Sequence, residues 1–491
     1  MFLGIDLGTS EVKLLLLSDT HRIVAVAGER ISISRPRPSW SEQHPSEWWD
    51  AACRAAARLR GMAPESFAAI RAIGLSGQMH GATLLDASDR VLRPAILWND
   101  TRAATECAEL TSRFPALPAV AGNLAMPGFT APKLVWVAKN EPEVFSRTAS
   151  VLLPKDYLRL CLTGEKASDM SDAAGTLWLD VARRDWSDDL LAATGLARRH
   201  MPRLVEGSDV SGTVLPAVAQ AWGLAPGVIV AGGGGDNAAS AVGIGAVSPG
   251  DGFISLGTSG VSFVVTDRFR PNPESAVHAF CHALPERWHQ MSVMLSAASC
   301  LSWVTRLTGA RDEESLLEQM KALPPKALDR APVFLPYLSG ERTPHNDATA
   351  RGVFFAMDHE TSAASLAYSV LEGVAFGILD GIAALRAAGT RVGRMSLVGG
   401  GSRSPEWAQL LATCLQTEIV TMQGAEAGGA LGAARLGWLA AGGNEAEVCA
   451  APAVNSLFAP DAAQLERLLP RYEKFREIYP RLKDLFAIGA A

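Results

Sequence analysis

Short apolar runs separated by polar turns open the chain. The segments Met1 to Leu7, Val12 to Ser18 and Arg22 to Val26 show this pattern, which is typical of an antiparallel three-stranded meander. Helical spacing of apolar residues follows from Pro45 to Arg60, with Ser46 as the expected N-cap. The chain is therefore predicted to begin as a meander followed by a helix.

Strand and helix patterns alternate through the remainder of the first half. Strand-like runs occur at Ile70 to Leu75, Ala82 to Leu85 and Pro94 to Trp98, and a helical run follows from Arg102 to Leu110. Alternation of this kind is typical of an α/β fold rather than an all-β fold.

The same succession begins again after residue 247. Its strand patterns lie at Gly252 to Leu256, Val261 to Val265 and Met395 to Val398. Its helical patterns lie at Ser292 to Leu307 and Ser362 to Ala387. The turn cluster Ser248-Pro249-Gly250 separates the two halves. We therefore expect two domains, residues 1–247 and residues 248–491.

Composition limits the class of partner. The 491 residues are 48% hydrophobic and 20% charged, which is enough for more than one core. A net charge of -6 without a basic block argues against nucleic acid or an anionic membrane as partner. The N-terminus has no signal-peptide pattern, and we expect a cytoplasmic protein. The seven cysteines never show C-x-x-C spacing, so we expect reduced thiols and no structural zinc.

A four-residue string occurs twice, as Leu7-Gly8-Thr9-Ser10 and as Leu256-Gly257-Thr258-Ser259, each time after an apolar run. A glycine turn with small hydroxyl residues presents N–H and O–H donors that suit an anion. Two such turns facing each other would hold one polyphosphate from both sides. For either copy alone, an ordinary hairpin turn is the alternative.

Two charged residues flank the first turn. Asp6 ends an apolar strand, and a carboxylate there suits Mg²⁺ held partly through water. Because an unpaired buried carboxylate is costly, Asp6 is hard to explain as a structural residue alone. Lys13 lies on the following strand, where it would either meet a phosphate oxygen or be a solvated strand residue.

Four glycines, Gly232 to Gly235, precede Asp236-Asn237 at the end of an apolar strand and the start of an Ala-rich helix. The glycines allow a tight turn and close approach of a ligand. Asp236 suits a general base that accepts a proton from a substrate hydroxyl during phosphoryl transfer. The alternative is a simple Asp N-cap. The chain has no Walker A string.

Two further glycine-rich turns lie in the second half. Gly399, Gly400 and Gly401 stand between a predicted strand and a predicted helix, where adenine or ribose could lie against the backbone. The run from Glu426 to Ala434 is also rich in Gly and Ala. Small residues there suit close helix packing as well as nucleotide approach, and the pattern does not separate the two.

Polar groups that suit a polyol occur in the first half. Gln78-Met79-His80-Gly81 lies between two predicted strands, and Trp98 to Arg102 lies at the next strand end. Together they supply the mixture of hydrogen-bonding groups and apolar surface that sugar pockets use. Taken by itself, a histidine such as His80 is more often a satisfied core or turn residue than a ligand.

These motifs together resemble the FGGY carbohydrate kinases over nearly the whole chain, from Phe2 to about Tyr479. The strings that carry the resemblance are Gly4 to Ser10, Gly128 to Asn140, Gly232 to Asn237, Ser255 to Gly260 and Gly399 to Gly401. Further strings resemble the bacterial members that act on D-xylulose: Trp40 to Gln43, Gln78 to Thr83, Arg93 to Asp100, Leu153 to Leu158, Ser168 to Thr176 and Leu335 to His345.

The resemblance implies a duplicated actin-like ATPase (ribonuclease H-like) fold, in which a catalytic sugar-binding domain and a nucleotide-binding domain flank a cleft. It implies ATP- and Mg²⁺-dependent phosphorylation of D-xylulose at O5. Asp236 would accept the proton and Asp6 would be a second carboxylate. Met79, His80 and Asn237 would contact the sugar. ATP would lie across Gly8 to Ser10 and Gly257 to Ser259.

Two other functions fit the same pattern. One is a kinase for another polyol, such as ribulose, gluconate or glycerol. The other is an actin-like ATPase that uses the fold as a conformational switch, against which the sugar-like segments argue. A homodimer is compatible with the resemblance.

The sequence departs from the family pattern at a few positions. Glu11 replaces a glycine after the first turn, so that residue is not expected at positive φ. Ala356 and Ser365 break the second family signature, which begins at Gly352, and put in question the local packing rather than the chemistry.

Overall fold

The computed structural model describes residues 1–424 and 428–488. The strands and helices of the first half are β1 (Phe2–Leu7), β2 (Glu11–Leu17), β3 (Ile23–Arg30), β4 (Glu42–Gln43), α1 (Pro45–Met62), α2 (Pro64–Ala68), β5 (Ala72–Gly77), β6 (Thr83–Leu85), β7 (Ala95–Ile96), α3 (Ala104–Arg113), α4 (Leu117–Ala121), α5 (Thr130–Asn140), α6 (Pro142–Arg147), β8 (Ser150–Leu152), α7 (Pro154–Thr163), β9 (Ala167–Asp169), α8 (Met170–Ala174), β10 (Leu179–Asp180), β11 (Asp185–Trp186), α9 (Asp188–Ala193), β12 (Arg203–Val205), β13 (Val210–Thr213), α10 (Pro216–Trp222), β14 (Ile229–Ala231), β15 (Gly234–Gly235) and α11 (Asp236–Ile244).

The described part of the second half contains fewer elements. They are β16 (Gly252–Leu256), β17 (Gly260–Thr266), β18 (His278–Cys281), β19 (Trp288–Met294), α12 (Ala298–Thr308), α13 (Glu313–Lys321), α14 (Pro325–Asp329), β20 (Val333–Leu335), β21 (Val353–Phe355), α15 (Ala363–Ala387), β22 (Met395–Val398), α16 (Pro405–Leu415), β23 (Ile419–Met422), α17 (Gly428–Ala440), α18 (Glu445–Val448), β24 (Val454–Phe458) and α19 (Ala462–Phe486).

Each half is built around a mixed sheet, and the two sheets share one topology. The first has the order β3-β2-β1-β5-β14-β13, with β15 also paired to β5. The second has the order β19-β17-β16-β22-β23-β24, with β18 added beside β19. In both, a three-stranded antiparallel meander continues into two parallel strands and an antiparallel edge strand. The predicted duplicated α/β fold is confirmed.

Two local predictions are wrong. Ser292 to Met294 belong to β19, which pairs with β17 along its whole length, and the helix begins only at Ala298. At the start of α1 the N-cap is His44, whose Nδ1 accepts from the backbone N–H of Ser46 at 3.3 Å. Pro45 occupies the first helical position, where its missing N–H costs nothing, and this moves the cap one residue earlier than a hydroxyl pattern suggests.

Two helices cover the sheet of the opposite half. On α11, Ala241 and Ile244 pack with Phe253 and Phe263 of the second sheet. On α17, the small and apolar residues pack against the first sheet, together with Phe2 and Leu15. The predicted domain boundary at 247/248 stays a prediction. In the fold, α11 precedes this boundary and packs with the second sheet, whereas α17 follows it and packs against the first sheet.

Small residues make this exchange sterically feasible. A Cβ on Gly4 would overlap the carbonyl oxygen of Ala430, and a Cβ on Gly432 would overlap that of Ala239, where α17 crosses α11. For the described part of the Gly/Ala run, close packing is therefore a real role. Glu426 and Ala427 of that run lie outside the described residues.

The core helix of the second domain is α15. It is 25 residues long and by length and composition apolar enough to cross a membrane, but 78% of its most apolar stretch is buried inside the protein. Its Glu372 is fully buried and forms an ion pair with Arg471 at 2.6 Å. These features identify α15 as an interior helix of the domain.

Candidate active site

The glycine loop between β14 and α11 places Asp236 beside Asn237, which lines a cavity formed with residues of the second half. Gly233 has φ +80°, which an L side chain rarely adopts, and a Cβ on Gly232 would overlap the carbonyl oxygen of Glu206. The N-cap of α11 is Gly235, and Asp236 is the first helical residue. Asp236 is therefore not the N-cap residue, and the N-cap interpretation is wrong, although its Oδ1 still accepts from a backbone N–H of the first helical turn.

The Asp236 carboxyl is oriented and electrostatically perturbed. Its Oδ1 accepts from the backbone N–H of Asn237 at 2.7 Å and from the Nδ2 of that residue at 3.0 Å. Burial, followed by the nearby charge of Asp6, raises the pKa of Asp236 to about 6. A carboxylate with such a pKa is ionised at neutral pH yet basic enough to accept a hydroxyl proton.

Asp6 lies at the end of β1, close to α17. Its Oδ1 is buried and has no hydrogen-bond partner within the described residues. Burial raises the pKa of Asp6, and the charge of Lys13 opposes that rise. A Cβ on Gly429 would lie 2.7 Å from Asp6 Oδ2, so the carboxylate faces the first turn of α17.

His80 stands in a strained backbone conformation that its surroundings enforce. Its φ is +68°, and its carbonyl oxygen accepts from Lys133 Nζ at 2.8 Å and from Thr130 Oγ1 at 3.2 Å. Such strain in a non-glycine residue is maintained only where neighbours fix it, and it is concentrated at functional sites. Phe129 packs against the ring, with centroids 4.6 Å apart.

The ring of His80 is presented as a neutral acceptor. Desolvation, with the charge of Lys133 adding to it, lowers the pKa of His80 to about 3. Nδ1 lies 2.7 Å from the carbonyl oxygen of Gly175, and we assign the ring proton to Nδ1 because a carbonyl can only accept. The other nitrogen, Nε2, is then left as a hydrogen-bond acceptor for a hydroxyl.

Met79 connects this segment with the glycine loop. A Cβ on Gly235 would lie 2.9 Å from Met79 Sδ, and a Cβ on Gly175 would lie 2.7 Å from both Met79 Cε and His80 Cε1. Met79 therefore packs directly over the residue that precedes Asp236. The structure brings the predicted sugar-contacting pair and the predicted base into one place.

Two cavities lie on the side of the second domain. One, of about 530 Å³, is lined by Asn237, Ser240, Ile244, Phe253, Ser255, Val398, Gly399, Gly400, Ser402, Arg403, Gly428 and Gly429. The other, of about 850 Å³, includes Leu256, Gly257, Thr258, Ala298, Leu301, Leu317, Gly400, Gly401, Arg403 and Trp407. The two cavities share Gly400 and Arg403, and the smaller one reaches Asn237, the neighbour of Asp236.

Some predicted residues lie apart from these cavities. Gly8, Thr9, Ser10, Lys13 and Ser259 line neither of them. The hydroxyl of Thr9 instead accepts from Trp98 Nε1 at 2.9 Å, which joins the first turn to the predicted polyol segment. Lys13 Nζ lies 4.0 Å from a carboxylate oxygen of Glu11. A grip on one polyphosphate by both turns stays a prediction.

Two functional features escaped the sequence analysis. Arg403 is a cation that lines both cavities, whereas the sequence pattern had singled out only the neighbouring glycines Gly399 to Gly401. A buried charged cluster also lies behind the glycine loop, formed by Lys155, Asp156, Arg159, Asp169 and Asp172. Charged residues in otherwise apolar segments were the available signal, but their convergence is visible only in three dimensions.

The departures from the family pattern have local consequences. Glu11 begins β2 in an extended conformation, as expected. Ala356 has φ +66°, a conformation that favours glycine. Ser365 completes a capping box with Ser362 at the start of α15. Of these three residues, only Ala356 adopts an unfavourable backbone conformation.

Comparisons with known proteins agree with this architecture. Models of the FGGY family of carbohydrate kinases match the chain, the N-terminal domain over residues 1–243 and the C-terminal domain over residues 252–441. Xylulose kinase from Escherichia coli K12 is 52% identical over 490 residues, covering 99% of this chain and 100% of that protein. Xylulose kinase from Klebsiella pneumoniae is 51% identical over 491 residues, with 99% and 100% covered.

A solved structure agrees equally well. The crystal structure of a xyloylose kinase from Brucella ovis superimposes with a TM-score of 0.95 at 52% identity, covering 99% of each chain. Both the family models and these relatives span most of the sequence. The chain belongs to the FGGY family of carbohydrate kinases.

Proposed function

We propose that this kinase transfers the γ-phosphoryl group of ATP to O5 of D-xylulose, giving D-xylulose 5-phosphate and ADP. The observation that carries the proposal is the packing of Met79 against Gly235, which puts the sugar-contacting pair beside Asp236. Similarity to the two bacterial xylulose kinases, over nearly all of each chain, supports D-xylulose over other polyols.

Asp236 acts as the general base in this proposal. Its carboxylate accepts the O5 proton as the hydroxyl attacks phosphorus, and the bond between the γ-phosphorus and the bridging oxygen breaks to release ADP. Two hydrogen bonds from Asn237 hold Oδ1 in place, so that Oδ2 is the oxygen left for the proton. Nε2 of His80 accepts from a second sugar hydroxyl, and this fixes which hydroxyl meets the base.

The two cavities that share Gly400 and Arg403 suit ATP. The larger one falls within the usual size range of small-ligand pockets and combines apolar walls with polar groups, as a nucleoside requires. The smaller one leads toward Asn237 and is lined by backbone of Gly399 and Gly428. The cation of Arg403, which lines both cavities, suits the phosphate groups. In this proposal the nucleoside lies in the larger cavity, the phosphate groups lie between Arg403 and the smaller cavity, and Asp236 follows next to Asn237.

Asp6 fits a role in holding Mg²⁺. Within the described ranges, no group of three or more His, Cys, Asp or Glu side chains gathers as a metal site. Mg²⁺ in phosphoryl-transfer sites commonly relies on one or two carboxylates together with phosphate oxygens and water. The unpartnered Oδ1 of Asp6 would supply such a carboxylate. The ion would neutralise phosphate charge during transfer.

Location and assembly complete the proposal. We expect the kinase to act in the cytoplasm, where ATP is available, and we keep a homodimer as a prediction that light scattering of the purified protein tests.

A panel of acceptors tests the proposed substrate. ADP release is measured with D-xylulose, D-ribulose, D-gluconate and glycerol, and without any acceptor. We expect the highest kcat/KM for D-xylulose and little ADP release in its absence. A higher value for another polyol refutes the substrate, and equal ADP release with and without acceptors refutes the sugar kinase in favour of an ATPase switch.

A further inference from the structure

Five charged side chains are completely buried behind the glycine loop. Lys155 Nζ contacts Asp156 Oδ1 at 2.6 Å, Asp169 Oδ1 at 2.7 Å and Asp172 Oδ2 at 3.2 Å, and Arg159 Nη2 contacts Asp156 Oδ1 at 3.4 Å. Burying charge is expensive unless it is paired and hydrogen-bonded. A cluster of this size therefore demands a role that apolar residues could not supply.

The charged groups of the cluster stabilise one another. Burial opposes the charge on Lys155, but the carboxylates of Asp156, Asp169 and Asp172 outweigh it and raise the pKa of Lys155. Burial also raises the pKa of Asp172 above its ordinary value, and the charge of Lys155 opposes that rise. Lys155 therefore stays charged and joins three carboxyl groups into one anchor.

One arm of the cluster holds the loop that carries Asp236. Asp169 Oδ2 accepts from the backbone N–H and the hydroxyl of Ser171, and the Ser171 Oγ in turn accepts from the N–H of Gly235 at 3.1 Å. On the other side of the loop, the guanidinium of Arg159 donates to the carbonyl oxygens of Ala231 and Gly232. Glycines have no side chains to fix themselves, so these bonds define the loop.

The other arm holds His80. Asp169 is the N-cap of the short helix α8, and Gly175 follows directly after that helix. The carbonyl of Gly175 accepts from Nδ1 of His80, and a Cβ on Gly175 would lie 2.8 Å from that same nitrogen. The segment from Asp169 to Gly175 therefore contacts the sugar-orienting ring at one end and the neighbour of the base at the other.

We propose that the segment Asp169–Gly175, anchored by Lys155, is a positioning element that fixes His80 and Asp236 relative to one another. The proposal depends on the roles assigned to those two residues above. A base must lie within hydrogen-bond reach of the hydroxyl it deprotonates, and a misplacement of about 1 Å can cost about 10²-fold in rate. A rigid link between the hydroxyl-orienting group and the base prevents that misplacement.

The two ends of the segment predict different kinetic defects. Ser171→Ala removes the bond to Gly235 but leaves the ring contact at Gly175, so we expect kcat to fall by about 10-fold or more with little change in the KM for D-xylulose. Gly175→Ala pushes against the ring of His80 and should raise the sugar KM more than it lowers kcat. Ser171→Thr keeps the hydroxyl and should restore turnover.

Thr194→Val is the matched control. Thr194 is likewise buried, and its Oγ1 accepts from Trp178 Nε1 at 3.0 Å and donates to the carbonyl of Leu191, so the variant also removes a buried hydroxyl, but one that bonds neither the glycine loop nor His80. We expect this variant to keep its kcat even where its melting temperature falls. Equal losses of kcat in Ser171→Ala and Thr194→Val would show a general effect of losing a buried hydroxyl and overturn the proposal.

Two further variants keep the test decisive. If Ser171→Ala does not fold, Asp169→Asn replaces it, because it keeps an acceptor for Ser171 and weakens the anchor at Lys155. It should lower kcat and raise the sugar KM together, and a variant that loses only stability refutes the positioning element. An inactive Asp236→Asn beside a fully active Ser171→Ala refutes the element alone, whereas an active Asp236→Asn refutes the proposed base as well.

Discussion

Replacement of Asp236 by Asn should lower the turnover number and raise the free energy of unfolding at pH 8. The amide keeps the shape of the side chain and an acceptor for Asn237, but it cannot take up the O5 proton. We expect kcat to fall by roughly 10² to 10⁴ while D-xylulose still binds, because general-base catalysis contributes about that much. Calorimetric titration of the sugar beside a coupled ADP assay measures both quantities.

Stability should change with a definite dependence on pH. The pKa of Asp236 is raised from 3.8 to about 6. A raised carboxyl pKa means that the folded state holds the proton more tightly, so stability falls as pH rises from about 4 through about 6. At about 1.4 kcal/mol per pKa unit, ionisation of Asp236 costs the folded protein roughly 3 kcal/mol at pH 8. The uncharged Asn should recover much of this at pH 8 and little at pH 4.

Denaturant unfolding at the two pH values tests the stability argument. Asp189→Asn is the matched control, since Asp189 lies in the first turn of α9 and is exposed to solvent. We expect that control to leave both turnover and stability nearly unchanged. Wild-type turnover in Asp236→Asn refutes the base, and the absence of a gain in unfolding free energy at pH 8 refutes the claim that the buried charge is destabilising.

Four further outcomes are expected. The sugar kcat/KM of the wild-type enzyme should fall as pH drops below about 6, where Asp236 becomes protonated, and a flat profile from pH 5 to 8 would contradict this. Asp6→Asn should lower kcat and raise the Mg²⁺ concentration needed for half-maximal rate, unless Asp6 is only structural, in which case a Mg²⁺ titration matches wild type. Arg403→Met should raise the KM for ATP several-fold, by about 1 kcal/mol or more, with the sugar KM unchanged; an unchanged ATP KM removes Arg403 from the phosphate path. Ala356→Gly should relieve the positive φ, raise the free energy of unfolding by about 1 kcal/mol or less and so raise the melting temperature. A lower melting temperature would show that the backbone entropy of glycine outweighs the strain.

The elements that sequence alone predicts well are those with a strong local signal. The strand Met395–Val398 has the predicted bounds, and the repeated Gly-Thr-Ser turn correctly indicated a duplicated fold. The helix predicted from Ser292 was wrong in its first residues because Ser292 to Met294 pair with β17, and pairing with a strand about 30 residues away is not a local signal.

The candidate site divides in the same way. Asp6 and Asp236 were recognisable because each is a carboxylate that ends or follows an apolar strand, with glycine within two residues. The contact of Ser171 with the glycine loop was not, because its partner Gly235 lies 64 residues further along the chain. The exchange of α11 and α17 between the sheets was also beyond local pattern, since small residues favour close packing without naming the partner.

The tight crossing of α11 and α17 limits how these two helices can move. A Cβ on Gly243 or on Gly432 would overlap the backbone of the other helix, so the helices have little freedom to slide past one another. Asp236 begins one of these helices and Asp6 faces the start of the other. The proposed base and the proposed Mg²⁺ ligand are therefore attached to the same closely packed pair, and their separation should stay nearly constant in any movement that preserves this crossing.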